Sequence, residues 1–414
     1  MPAAAAAVAG DQRMSQKKSS ALAALTASAL AIPGLIKPAA AADDNLQLDY
    51  RYSAYREGDL DADRSASNAK ASRYHVDTHQ VRGAWQLAPG SDISADLVVE
   101  TMSGASPWFI TPAAGSGKPL QVMSGASIED SRAALTLARK QRFGDSTIDF
   151  HGTYSNERDY QSGSGGLDWS VDFGEQLNTV SLGASYTANQ LKPTDGGSAR
   201  FPDRIGSAHS HAVTGTLGYT RVLGVDTQAQ LGVSYTQESG YLSDPYKLAY
   251  IQNLAGTLPD ERPDGRREWA AQARLRQWLA ALKAALHLDY RYYGDDWKIS
   301  SHTVDASYRQ QLPGGWELAP GVRWYSQSQA FFYAPYYATV RDDNFNSSDY
   351  RLSPYGALSW RVETNSGSLL GSWKLRLRYE NYRSKGSYAV GNVLQENPGL
   401  VDFSVISASV GAVF

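Results

Sequence analysis

Apolar and polar side chains alternate every second residue along much of the chain. In Leu46–Tyr55, Leu46, Leu48, Tyr50 and Tyr52 oppose Gln47, Asp49, Arg51 and Ser53. Further along, Ile93, Ala95, Leu97 and Val99 oppose Ser94, Asp96 and Glu100. Leu288, Tyr290 and Tyr292 oppose His287, Asp289 and Arg291, and Trp373, Leu375, Leu377 and Tyr379 oppose Lys374, Arg376, Arg378 and Glu380. At the end of the chain, Ile406, Ala408, Val410, Ala412 and Phe414 fall on one side, and Ser407, Ser409 and Gly411 on the other. Successive side chains of an extended strand point to opposite faces, so the pattern predicts strands.

The charged face decides between two ways of using such strands. A soluble sandwich turns its apolar faces inward. A barrel in lipid turns them outward and encloses the charges. Ionic residues at every second position, and a final strand ending on Phe414, predict an all-β, transmembrane antiparallel β-barrel. Arg51, Glu100, Arg274, Arg276, Asp289, Arg291, Arg376, Arg378 and Glu380 are expected to line its lumen.

The breaks between strands support that reading. Short turns at 89–91, 144–145, 175–178, 224–226, 280–283, 313–315 and 365–367 alternate with mostly longer polar stretches at 58–71, 107–121, 161–166, 192–208, 242–265, 334–349 and 387–399, and one short one at 294–297. Tight periplasmic turns and long outer loops are expected of such a barrel. About sixteen strands result, near 46–56, 73–88, 92–103, 130–143, 146–160, 167–174, 179–192, 208–223, 227–241, 266–279, 284–294, 298–312, 316–333, 350–364, 368–383 and 400–414. An even number places both ends of the sheet on the periplasmic side. Closure follows because an open edge in lipid leaves backbone groups unpaired at several kcal/mol each.

Two segments compete with this pattern. Arg274–Leu286 also fits an amphipathic helix, but Glu268, Gln272, Arg274 and Arg276 share one strand face. Phe331–Tyr337 is an aromatic run that reads as part of the outer girdle.

Composition narrows the class. The chain has 414 residues, and one closed sheet can absorb that length. A net charge of −3 is too near balance for a nucleic-acid binder. Without cysteine there is no disulfide, thiolate metal site or cysteine nucleophile. Residues 1–42 read as a signal peptide to be removed: Lys17 and Lys18 precede a small apolar stretch from Ala21 to Ile36, and Ala40, Ala41 and Ala42 form a cleavage site. Residues 43–414 then form a single domain, exported to the outer membrane of a Gram-negative bacterium. Outer-membrane lipid and lipopolysaccharide are its expected surroundings, with the barrel-assembly machinery engaging the strand that ends in Phe414.

Several stretches together resemble the bacterial outer-membrane family known as domain of unknown function 3570. They are Glu100–Trp108, Val122–Ile128, Ser239–Lys247, Leu288–Tyr293 with Asp296 and Trp297, Ser347–Pro354 and Asn397–Asp402. The resemblance implies an exported barrel, often encoded beside a small lipoprotein, a thioredoxin-like protein and a flavin transferase.

Candidate chemistry is sparse. Met-Ser-Gly-Ala-Ser occurs at 102–106 and again at 123–127. Each copy resembles the motif to whose last hydroxyl periplasmic flavin transferases esterify FMN, which marks Ser106 and Ser127 as candidate attachment sites. The first copy has Glu100 where that motif has Asp, and the second has Gln121. The alternative is that these small residues let two segments pack closely at the rim. His209 and His211 share one strand face, but two ligands do not make a metal site; the histidines read as polar lumen residues. Loop acids such as Asp59, Asp61, Asp63, Asp342 and Asp343 read as solvated surface, with Ca²⁺ binding as the alternative. No nucleophile elbow, phosphate loop or zinc-protease motif is present. His302 and Asp305 can be named as strand-borne candidates for catalysis, and a non-enzymatic role is expected. The chemistry leaves a pore or transport-type barrel, a flavinylated redox barrel and an outer-membrane enzyme as functional alternatives.

Overall fold

The computed structural model describes residues 46–124, 128–199, 201–367 and 372–414. The signal-peptide reading of 1–42 and the candidate Ser127 lie outside them. Sixteen strands close into one antiparallel barrel in the order β1-β2-β3-β6-β7-β8-β9-β10-β11-β14-β15-β16-β17-β18-β19-β20. They are β1 (Leu46–Glu57), β2 (His75–Ala88), β3 (Ser91–Gly104), β6 (Ile128–Phe143), β7 (Ser146–Glu157), β8 (Tyr160–Phe173), β9 (Asn178–Leu191) and β10 (Ala208–Gly224). The second half holds β11 (Thr227–Gly240), β14 (Gly265–Leu279), β15 (Ala284–Asp295), β16 (Ser300–Gln311), β17 (Glu317–Gln327), β18 (Tyr355–Asn365), β19 (Lys374–Lys385) and β20 (Phe403–Val413). Two small hairpins lie in the long loops: β4 (Pro107–Pro112) with β5 (Pro119–Met123), and β12 (Leu248–Ile251) with β13 (Gly256–Pro259).

The ring shuts where β1 pairs with β20, from Gln47 opposite Val413 to Glu57 opposite Phe403. The terminal residue takes part, since Phe414 and Leu46 exchange backbone hydrogen bonds at 2.8 and 3.1 Å. Every barrel strand therefore has two neighbours, which leaves no sheet edge to lipid.

The alternation places oily side chains outside. Leu48, Val81, Leu97, Leu137, Phe150, Leu182, Val213, Leu217, Leu231, Val322, Leu358 and Ile406 are all exposed. In water each would forfeit on the order of 1 kcal/mol or more of burial, so the outer face belongs in hydrocarbon. Arg51, Ser53, Tyr55 and Glu57 of β1 are buried on the opposite face.

Four expectations change. Residues 161–166 are not a loop but the beginning of β8, and the outer turn is only Arg158 and Asp159. Their glycines and serines read as a break, yet a lumen wall accepts small residues; a side chain on Gly166 would overlap the His151 ring. The strand expected at 316–333 ends at Gln327, and that expected at 350–364 starts at Tyr355. The aromatic run 331–337 leaves the wall: Phe332, Tyr333 and Tyr337 are buried among loops, not set in a girdle. The strand reading of 274–286 holds over the competing amphipathic helix: the segment is the end of β14, a three-residue 3-10 turn at Ala280–Leu282, and the start of β15.

Candidate functional site: the ionic lumen and its loop plug

The inward face carries rows of matched charges. Cross-strand neighbours on one face lie within reach of long side chains, so acids and arginines of adjacent strands pair around the wall. On β16–β18, Asp305 accepts from Arg323 Nε at 2.7 Å and from both terminal nitrogens of Arg361 at 2.7 and 2.6 Å. Arg309 donates to Glu363 at 2.9 Å and also to Glu317. On the other side of the barrel, Arg132 donates to Glu100 at 3.0 Å and to Ser155 at 2.8 Å, and Thr78 donates to Glu100 at 3.2 Å.

The nine residues expected in the lumen all occupy inward positions. Arg51, Glu100 and Glu380 are buried, and the other six are half-buried. Arg276 pairs with Asp289, one bond measuring 3.0 Å, and Arg378 pairs with Glu380. Arg376 donates to Asn365 at 2.6 Å, and Arg291 lies over the Tyr293 ring at 5.3 Å. Arg274 donates to Gln230 and Gln272, each at 3.4 Å. Arg51 and Arg376 flank Ser409, with which both are in register. By contrast β9, β10 and β11 present Ser181, Gly183, Ser185, Thr214, Thr216, Gln230, Ser234 and Thr236 at inward positions, a wall of small neutral polar groups.

The long loops fold into the outer mouth. Tyr350, from the loop between β17 and β18, packs in one cluster with the inward-facing Tyr55, Val76, Met102, Tyr355 and Tyr382. Other loops lock onto it. Asn397 donates to the Tyr333 hydroxyl at 2.9 Å and to the Ser348 carbonyl at 3.2 Å. Arg73 donates to Glu57 at 2.9 Å and to the carbonyls of Leu400 and Gly399 at 3.2 and 3.0 Å. The Tyr336 hydroxyl donates to the Gly117 carbonyl at 2.6 Å.

A buried charge cluster lies within this plug. Asp349 accepts from Arg351 Nε at 2.6 Å and from Arg262 at 3.0 Å, Arg262 donates to Asp260 at 2.6 Å, and Arg351 donates to Asp244 at 2.9 Å. Lys247 reaches a third loop, donating to the Pro107 carbonyl at 3.2 Å. Burial alone would raise the Asp349 carboxyl, but Arg351, Lys247 and Arg262 hold it well below the ordinary carboxylate range. For Asp260 burial prevails over Arg262, and its carboxyl is raised. Asp244 and Asp260 come from the loop after β11 and Asp349 from the loop after β17, so no one stretch of the sequence shows the cluster.

The two Met-Ser-Gly-Ala-Ser copies meet at the base of the β4–β5 hairpin. Ser106 N–H donates to Ser124 Oγ at 2.9 Å, and Ser124 N–H donates to the Ser106 carbonyl at 2.8 Å. Ser106 is half-buried. Gly104 has φ of 135°, and a Cβ there would overlap the Arg73 carbonyl oxygen, so this position requires glycine.

Other candidates separate. His302 and Asp305 are three residues apart on one strand and so face opposite sides of the sheet, which rules out a dyad. His209 and His211 are exposed on the outer face, as are His75 and His79; these are not lumen residues. Reading every polar strand residue as inward misassigned them, because the polar rim of the membrane also accepts imidazole. Asp63 pairs with Lys118 at 3.2 Å and Asp343 with Arg341 at 2.6 Å. A different acidic group, Asp130, Glu157 and Asp159, brings one carboxylate oxygen each within 4.8 Å of the others. The Tyr246 hydroxyl donates to Asp159, whose carboxyl burial raises.

The sequence matches the family described as "Protein of unknown function (DUF3570)" over residues 22–402. No curated protein matches it. Among solved structures the chain is similar to a bacterial polysaccharide outer membrane secretin, with 10% identity, a TM-score of 0.45, and coverage of 90% of this chain and 99% of the other. A BenF-like porin from Pseudomonas fluorescens Pf-5 gives 10% identity, a TM-score of 0.43 and the same coverage. OccK9 (OpdG) from Pseudomonas aeruginosa gives 11% identity, a TM-score of 0.40 and again 90% and 99%.

Proposed function

The chain belongs to the DUF3570 family, and we propose that it is an outer-membrane pore-type barrel whose charged lumen is restricted from the outside by its own interlocked loops. The observation that carries this reading is the pairing of a wide, ion-lined interior with a built plug. Sixteen strands enclose enough space for an aqueous channel unless something fills it. The inner wall offers charges and hydroxyls that suit water and small polar solutes. Tyr350 and the Asp349 cluster occupy the mouth and set how much of that space is continuous.

In this reading the Met-Ser-Gly-Ala-Ser pair closes a tight hairpin, and Ser106 is not a flavin carrier. Planar-bilayer recording of the refolded protein tests the pore. Discrete conductance steps that grow when the plug is loosened support it. Absence of steps from both the native chain and plug-loosened variants overturns it. Intact mass after co-expression with a flavin transferase tests the competing redox reading, for which an added FMN on Ser106 or Ser127 is the required result.

A further inference from the structure

The outward-facing histidines form a repeated device at one height on the barrel. Tyr50 and Tyr52 share the outer face of β1, and His79 of β2 is in register with Tyr52. The Tyr50 hydroxyl bonds His79 Nδ1 at 2.8 Å, and the Tyr52 and His79 ring centroids are 5.3 Å apart. Strands β15 and β16 repeat this. His302 is in register with Tyr292, the Tyr290 hydroxyl bonds His302 Nδ1 at 2.9 Å, and the Tyr292 and His302 rings are 5.1 Å apart. The two tyrosine strands carry the same five residues, Leu-Asp-Tyr-Arg-Tyr, at 48–52 and 288–292. Tyr186 and His211 also lie with ring centroids 6.3 Å apart, but His211 Nε2 is already bonded to Ser239 Oγ at 2.6 Å, so this ring stands apart from the two repeated pairs.

The placement is one-sided. His75, His79, His209, His211 and His302 all lie near the loop ends of β2, β10 and β16, whereas His151 and His287 face inward. At the turn end the outer face carries Trp85, Phe143, Phe173, Trp316, Trp373 and Phe414 instead. Amphipathic rings suffice for an interfacial belt. Imidazole adds a hydrogen-bond donor and a charge that appears near pH 6.5. Where a phenol donates to Nδ1, the neutral ring carries its proton on Nε2, and that N–H needs an acceptor. At the loop-end rim of a membrane-embedded barrel the available acceptors belong to lipid.

We propose that these Tyr–His pairs bind phosphate groups of outer-leaflet lipid. The phenol fixes the ring, Nε2–H donates to a phosphate oxygen, and protonation adds an ionic attraction. Asp77, two residues from His79 on the same outer face, is in electrostatic reach of that ring and accepts from the Tyr52 hydroxyl at 2.6 Å; the residues in register with the rings are not ionised. His79 is in register with Tyr52 and Val99, His302 with Tyr292 and Ser326, and His211 with Ala188 and Ser239. The charges next along the rim are Asp77 and Arg56, which pair with each other at 2.8 Å, and the titratable neighbour of His211 is His209.

The test uses the full chain in nanodiscs containing lipid A, either bisphosphorylated or dephosphorylated, with retained lipid counted by native mass spectrometry at pH 6 and pH 8. The expected result is about threefold greater retention of bisphosphorylated lipid A at pH 6 than at pH 8, on the scale of two weak surface ionic contacts. In H79F/H302F that pH dependence disappears, and dephosphorylated lipid A is retained equally by both proteins. Heat-modifiable electrophoretic mobility checks folding; if the double variant does not fold, H79F and H302F singly are expected to show part of the loss. Unchanged retention by folded variants, retention of dephosphorylated lipid by the native chain that rises at pH 6 as much as that of the bisphosphorylated lipid, or full displacement by millimolar inorganic phosphate would overturn the proposal.

Discussion

Arg262 donates to the Asp349 carboxylate at 3.0 Å, joining the loop after β11 to the loop after β17. Both side chains are almost wholly buried. Removing one member of a buried pair leaves the other charge uncompensated, at roughly 3–5 kcal/mol. Asp349→Asn is therefore expected to loosen the plug without opening the barrel. Single-channel recording should show larger or more frequent conductance steps, while the heat-modifiable band stays that of a folded barrel.

The pH dependence of the plug follows from the same cluster. The Asp349 carboxyl is held below its ordinary value, so its stabilising contribution is complete above the unfolded pKa of about 3.9 and is lost only as pH falls through its lower folded value. Asp260 is raised, so its folded form takes up a proton above that pKa, which relieves a buried charge while Asp349 stays ionised. The plug is expected to stay shut from pH 7 to about pH 4 and to open below that. Conductance measured down a pH series checks this; opening between pH 6 and 5 would contradict it.

Asp305 holds two arginines from neighbouring strands. Asp305→Ala strands both guanidinium groups on the lumen wall and is expected to cost roughly 3–5 kcal/mol. Asp305→Asn keeps an acceptor and should cost less. Urea unfolding in detergent micelles, followed by tryptophan fluorescence, measures the difference.

Gly104 tests the role of the repeated motif. Alanine there meets the Arg73 backbone at a φ that side chains rarely adopt, and displacement of the rim is expected to cost on the order of 1–3 kcal/mol. Ser106→Ala removes a hydroxyl that meets the buried Tyr74 phenol and makes a long bond of 3.5 Å to the Pro107 carbonyl, and is expected to cost about 1 kcal/mol. Thermal unfolding of the two variants side by side separates packing from hydroxyl chemistry.

The wall of the barrel was legible in the sequence because period two is a property of each strand alone. Leu48, Tyr50, Asp49 and Arg51 declare their faces without reference to any other segment. The plug was not legible. Phe332, Tyr333, Tyr350 and Trp297 are buried by partners from distant loops, and their aromatic character reads the same in a girdle as in a core. Histidine facing was hidden by polarity: parity puts His209 and His211 on the face that carries Val213 and Leu217 outward, and imidazole is accepted there because it lies at the polar rim. The stretch 161–166 is masked by its own glycines and serines, which mark a turn in most settings and a lumen wall in this one.

The bond between Leu46 and Phe414 has a consequence for biogenesis. Strand β1 finds one of its two partners only in β20, which follows every other strand of the barrel in the chain. Until β20 has emerged, β1 exposes a pairing-competent border, so the polypeptide must be kept apart from itself during transit.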